Sequence, residues 1–504
     1  MLYWLVSDPL TVLCGGEFDK YLISLEGFLQ KLSDVAELVF FEDGPVRDEK
    51  KDTWIERQNS KYLNTCIIID QINNDVPLSK IVENMREVPS ILACLPLIET
   101  TVKKFGSLIV TVTKECDAEL VQYSNKNPLV LAIIADDSDF LIFSGSWRYF
   151  SLRECNIESL VSFEFNRKAF WNYVELNESQ LKIFATLGGN DIMKYEDLSN
   201  FHFKNIGKAD ERFKLIAKYV KEKFNKTGQT LIDQIASKVF QNSGTRVKQQ
   251  IQLSMAQYET DFEVSDFSED PLLAYCRQND MDFTFEILEQ IPRKFSFSYF
   301  DFRCKDFPNI NDVFLELLRK QTGILLKHRK PYKLNQFKVL LRKTHGESFQ
   351  TITDSPQYPK VEIPPLLELF NRENFPEHDE IRFKLLKWMI DEQKLKDCDL
   401  RVIPKNYLLD IMTLTCLTTY GFITTSQADL ILLTIYRVQT KKMPERLRPP
   451  SVLNKHAFKI SFIFVEMHTT INRCLQILGL KKSMTVRLRR KFEDLCQITF
   501  LCFI

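Results

Sequence analysis

Several absences narrow the reading of this chain. No apolar run is long enough to cross a bilayer. The most apolar stretch, residues 407–436, is broken by Asp410, a threonine-rich turn and Asp429, so it reads as two buried helices. No secretory pattern opens the sequence, and its twelve cysteines include no CxxC and no Cys/His spacing of a zinc site. The cysteines are therefore expected to be reduced thiols of a soluble intracellular protein, nuclear or cytoplasmic. Internal repeats and low-complexity tracts are also missing, which excludes solenoids and arrays. Net charge is zero, so no uniform field drives binding to a polyanion.

The charge is nonetheless unevenly spread. Residues 1–200 hold 31 acidic and 19 basic side chains, a net of −12, and the remainder holds 36 and 48, a net of +12. An acidic half beside a basic half fits a metal site flanked by a phosphate-binding surface. Simple attraction between two oppositely charged domains explains it equally well. Five hundred residues exceed one core, and the pattern divides near residue 225. Strand candidates at 38–41, 67–69, 108–113, 129–135 and 149–152 occupy the first part. Helical periodicity dominates the second, with examples at 231–240, 283–291, 312–320, 381–390 and 455–478. A long Pro-containing connection is expected at 354–379 and a loop at 441–450.

What is present is a series of acids placed where apolar segments end. Residues 108–113 and 129–135 have the length and β-branched content of buried parallel strands, and 118–127 is long enough for a crossover helix. In a strand–helix–strand unit the carboxyl ends of both strands lie at one edge, where ligands bind. Glu115, Asp117, Asp137 and Asp139 are thus expected to crowd together. Clustered carboxylates repel unless a cation sits among them, and hard oxygen ligands favour Mg²⁺ or Mn²⁺. Asp191 follows Leu187-Gly188-Gly189-Asn190, and Asp43 follows the apolar run 38–41. Taken singly, each acid also fits a turn, a helix cap or the helix dipole.

These motifs, in this order, resemble the asteroid family, a branch of the flap endonuclease and XPG nuclease superfamily with a PIN-like fold. The resemblance rests on Leu13–Asp19, Phe41-Glu42-Asp43-Gly44, Glu115-Cys116-Asp117, Asp137-Ser138-Asp139-Phe140 and Phe184 through Asp191, and covers roughly the first two hundred residues. It implies an α/β PIN-like nuclease domain, a mainly parallel sheet flanked by helices, over 1–225. A largely α-helical asteroid-type region would follow over 226–504. It further implies metal-dependent phosphodiester hydrolysis on single-stranded or branched DNA, with RNA or protein partners as alternatives and no membrane. Asp43, Glu115, Asp117, Asp137, Asp139 and Asp191 would hold two Mg²⁺ or Mn²⁺ ions.

The resemblance also places Lys50, Lys51, Arg57 and Lys61 in the helical gateway that grips nucleic acid. Two later basic stretches, Lys327 to Lys343 and Lys481 to Lys491, are further candidates or merely solvated faces. Relative to the family pattern, the chain opens at the helix after the first strand, so one strand and one ligand Asp are expected to be missing and catalysis weakened. The alternative is a catalytically weak PIN-like scaffold. Only Asn205-Ile206-Gly207-Lys208 resembles the duplex-binding hairpin that usually follows the last acid.

Overall fold

The computed structural model describes residues 9–14, 18–46, 48–85, 95–207, 211–224, 229–241, 244–263, 270–297, 299–327, 336–342, 348–440 and 450–480. The chain forms two compact units. One comprises residues 26–57 and 102–265, the other 2–25, 58–101 and 266–504.

In the first unit, β1 (Leu38–Glu42) pairs in parallel with β2 (Gly106–Val110), Leu38 opposite Gly106 and Glu42 opposite Val110. β3 (Ala132–Ala135) pairs in parallel with β4 (Arg148–Ser151). The strands are shorter than their apolar runs suggest, because the exposed Leu129 and Leu131 precede β3 instead of belonging to it. The order β2–helix–β3 is as expected, although β2 and β3 lie in separate two-stranded ladders. Parallel pairing of this kind needs long connections: helices lie between β1 and β2, and residues 136–147, with the 3-10 turn Ser138–Leu141, join β3 to β4.

Helix α1 (Lys51–Asn73) contributes its first two turns to this unit and continues into the second. The strand expected at 67–69 is part of α1. Ile68, Ile69 and Ile72 are buried at helical spacing, and the continuing helix outweighs the small β preference of three isoleucines. Helix α2 (Cys116–Lys126) joins β2 to β3. Helices α3 (Glu178–Gly188) and α4 (Thr245–Ala256) cover the core, and α3 opens with a capping box between Asn177 and Gln180. Val121, Ile133, Phe140, Leu181, Ile235 and Ile251 share one hydrophobic cluster. That cluster crosses the boundary expected at 225, so the unit extends to residue 265.

The second unit is built mainly of helices, among them α5 (Ile310–Leu326), α6 (Asp379–Ile390), α7 (Leu408–Thr419), α8 (Thr425–Gln439) and α9 (Lys455–Ile477). α9 buries sixteen of its residues and packs on α5, α6 and α7. A three-stranded sheet, β5 (Arg293–Lys294), β6 (Phe337–Arg342) and β7 (Phe349–Asp354), is unanticipated by the sequence reading. Residues 407–436 do form two helices, and none of the described helices is long and apolar enough to cross a membrane. The long connection after Asp354 carries a short α-helix, Leu366–Phe370, and a 3-10 turn, Pro376–His378.

Candidate metal centre

The end of β1 is fixed against the end of β2 by backbone proximity. A Cβ on Gly44 would lie 1.6 Å from the Thr111 carbonyl oxygen, so only glycine fits there. The Gly44 amide donates to Thr111 Oγ1 at 3.2 Å. This contact holds Asp43 beside the turn that follows β2. That turn is shaped by Glu119, whose Oε1 accepts the amides of Val112, Thr113 and Lys114 at 3.1, 2.6 and 2.7 Å. Buried and acceptor-only, Glu119 therefore serves the backbone, and the chain reaches Glu115 at the N-cap of α2 and Asp117 in its first turn.

The end of β3 is built differently. Asp136 turns back to β4, accepting Ser151 Oγ at 2.7 Å and the Arg153 amide. Asp137 caps a short 3-10 turn, Ser138–Leu141, and accepts the Asp139 amide at 3.0 Å. Phe140, fully buried against Trp147 and Tyr149, anchors that turn in the core. Tyr149 also donates to the Asp137 carbonyl at 2.7 Å. The turn thus directs Asp137 and Asp139 away from the core that Phe140 enters.

Asp117, Asp137, Asp139 and Asp43 share one electrostatic field. Burial, and then Asp137, Asp139 and Asp43, push the Asp117 carboxyl up to about 7. Burial, then Asp137 and more weakly Asp191, push Asp139 up to about 6, against the hydrogen bond from Tyr258 and the charge of Lys50. Cys116, half-buried beside the same groups, has its thiol raised by desolvation and by Asp43, Asp117 and Glu119. Among the described residues no ion pair joins Asp43, Asp117, Asp137 or Asp139 to a basic side chain.

Glu115 and Asp191 stand apart from this group in one respect. Lys50 Nζ lies 2.9 Å from Glu115 Oε2 and 3.0 Å from Asp191 Oδ2. Burial lowers the Lys50 pKa, but Glu115 and Asp191 outweigh it and the ammonium is held well above its usual range. Asp191 is tied further to the start of α1, with Arg57 on Oδ1 at 2.6 Å and Thr53 Oγ1 donating to its carbonyl at 2.7 Å. Lys194 pairs with Glu56 beside them. Behind this loop, Asn190 Nδ2 donates to Ser254 Oγ at 2.7 Å, and Tyr258 Oη donates to Asp139 Oδ1 at 3.2 Å.

All six expected acids therefore lie in the first unit, and Lys50, which pairs with Glu115 and Asp191, also lowers the pKa of Asp117 and Asp139. The fit to a hard cation is one of charge: Asp117 and Asp139 carry more buried negative charge than their surroundings neutralise. Among the described residues no three His, Cys, Asp or Glu side chains are close enough to hold an ion by themselves. Substrate oxygens would have to complete the coordination.

Of the expected gateway residues, Lys50 is a carboxylate partner, while Arg57 keeps 63% of its side chain exposed. Lys51 opens α1, and Lys61 belongs to the second unit. Arg342, from the later basic stretch, is buried against the Tyr62 and Phe349 rings and donates to the Gln58 carbonyl, so it is structural. Most of that stretch, residues 328–335 and 343–347, lies outside the described residues, as do 441–449, 481–491 and Lys208. Sequence reasoning missed Tyr258, Glu119 and Asn190. Asn190 lies within the Phe184–Asp191 motif, but Tyr258 has no signal beyond lying in a helical region.

Residues 174–261 match the FAM120A-like domain. That segment contributes α3, Asp191, α4 and Tyr258 to the site. The chain is 27% identical over 255 residues to the human (Homo sapiens) constitutive coactivator of peroxisome proliferator-activated receptor gamma, a region covering 49% of this chain and 26% of that protein. It is 24% identical over 266 residues to the human constitutive coactivator of PPAR-gamma-like protein 1, covering 47% and 22%. It is also 26% identical over 204 residues to the single-strand DNA endonuclease ASTE1 of Danio rerio, covering 38% and 27%. The chain thus spans about a quarter of the length of these curated relatives. The ASTE1 similarity gives it a nuclease-like relative. No solved structure matches it.

Proposed function

We propose that the first unit is a PIN-like, metal-dependent nuclease domain that hydrolyses phosphodiesters of single-stranded or branched DNA. The observation that carries this reading is the shared field of Asp43, Asp117, Asp137 and Asp139 at the ends of β1, β2 and β3. The similarity to a protein named as a single-strand DNA endonuclease supports it. Asp117, Asp137, Asp139 and Asp43 would hold Mg²⁺ or Mn²⁺, which in such sites activates a water and stabilises the leaving oxygen. The chain's own residues do the rest. Glu119 fixes the turn after β2, Phe140 anchors the Asp137–Asp139 turn, and Tyr258 orients Asp139. Arg57 presents an exposed guanidinium where a phosphate would approach.

A second reading is a PIN-like scaffold of weak activity that binds nucleic acid or protein. It is favoured by one observation, that Lys50 and Arg57 already engage Asp191. The two readings separate in a cleavage assay on single-stranded and flap oligonucleotides with Mn²⁺. The nuclease reading expects metal-dependent products that Asp117→Asn and Asp139→Asn remove. Binding of the same oligonucleotides without any metal-dependent product would establish the scaffold.

A further inference from the structure

The geometry points to Lys50 as a built-in counter-cation that takes the place between Glu115 and Asp191 which a second divalent ion would need. The inference rests on the metal-dependent reading above and deepens it. An ammonium bridging two carboxylates sits about 3 Å from each oxygen, as Lys50 does at 2.9 and 3.0 Å. Mg²⁺ requires oxygens at about 2.0–2.1 Å. An ion could therefore serve Glu115 and Asp191 together only if Lys50 left and the two carboxylates closed in.

Three further contacts hold the present arrangement. Arg57 occupies the other carboxylate oxygen of Asp191, Thr53 its carbonyl, and the Lys194–Glu56 pair fastens the adjoining loop to the same two turns of α1. Lys50 itself ends the short 3-10 turn Asp48–Lys50 directly before α1, so its side chain starts from a fixed backbone. By contrast, no described basic side chain forms an ion pair with Asp43, Asp117, Asp137 or Asp139. The direct bridge is thus confined to Glu115 and Asp191, while Lys50 reaches Asp117 and Asp139 only at longer range, leaving their carboxylate oxygens without a basic partner among the described residues. In this state the site admits one ion where the resemblance implies two, and Lys50 sets that number.

The test counts bound Mn²⁺ by following the free ion's paramagnetic resonance signal during titration of protein saturated with a single-stranded phosphorothioate oligonucleotide, with the binding of the oligonucleotide alone subtracted. Wild type is compared with Lys50→Met and Lys50→Gln, the second keeping a polar group should the first fail to fold. The expected result is at least a tenfold gain in Mn²⁺ affinity, or one additional ion, in either folded variant. Adding Glu115→Gln to that variant should remove the gain. If wild type binds Mn²⁺ and the Lys50 variants bind it identically, the counter-cation role is overturned while the metal reading stands. If no form binds Mn²⁺, with Asp137→Asn indistinguishable from wild type, both fall.

Discussion

The Tyr258 hydroxyl donates to Asp139 Oδ1 at 3.2 Å across 119 residues of sequence. It ties the segment after α4 to the turn after β3, so the far end of the first unit completes a site whose acids come from its beginning. The tie continues behind Asp139, where Asn190 bonds Ser254 and Ser254 Oγ donates to Thr186 Oγ1 at 3.0 Å.

Tyr258→Phe removes that donor without changing the ring's packing on Phe143. The expected cost in stability is about 1 kcal/mol, the net worth of one hydrogen bond. Mn²⁺ affinity should fall further than stability, because Asp139 loses its orientation. A metal titration alongside a urea melt checks this, and a loss of stability with unchanged affinity would reduce Tyr258 to a packing residue.

The raised carboxyls set the pH dependence of stability. An acid whose folded pKa lies above its unfolded value binds its proton more tightly when folded, so the folded state is favoured at low pH and loses that advantage as pH rises. For Asp117 the window runs from its ordinary 3.8 up to about 7. Between about pH 4 and 7 the metal-free protein should therefore melt at a falling temperature, with little further loss above that. Asp117→Asn should flatten the curve by removing the titrating group, and saturating Mn²⁺ should flatten it by stabilising the ionised form. A wild-type melting profile parallel to that of Asp117→Asn would contradict the assignment.

Gly44→Ala tests the contact that sets Asp43. A Cβ cannot lie 1.6 Å from the Thr111 carbonyl oxygen, so the ends of β1 and β2 must separate. A destabilisation of ~3 kcal/mol is expected, near the upper end for single substitutions. Chemical denaturation measures it. A change within 0.5 kcal/mol, roughly the range of neutral surface substitutions, would show that the strand ends are not held as described.

Phosphate contacts release counterions, so binding to single-stranded DNA should weaken steeply with salt. Arg57→Gln should weaken binding across sequences and lower the salt slope by about 1, the signature of one lost phosphate contact. Fluorescence anisotropy at several salt concentrations gives both numbers. An unchanged slope would leave Arg57 only its role as a partner of Asp191.

Much of the site was legible because its acids follow apolar runs at spacings a strand–helix–strand order explains. Asp137 and Asp139 are held by the turn they build, which is a local matter that sequence encodes directly. The extent of the first unit was not legible, since Leu231, Ile235 and Ile251 carry helical periodicity wherever they pack, and only the folded core assigns them to it. The isoleucines of 67–69 misled for a related reason: local β preference is small beside the burial of Ile68, Ile69 and Ile72 at helical spacing. Lys50 was legible as a basic residue near the acids, but its pairing depends on two carboxylates 65 and 141 positions away, and no local pattern encodes that.

The central claim, that these carboxylates support metal-dependent phosphodiester hydrolysis, is tested most directly by the single-turnover rate of Mn²⁺-dependent cleavage of a single-stranded oligonucleotide. Wild type and Asp137→Asn are compared at equal protein concentration. Wild type should cleave, chelation should abolish the cleavage, and the variant should lose at least a hundredfold in rate. Equal rates in the two proteins, or no metal-dependent cleavage by wild type on either single-stranded or flap substrates, would contradict it.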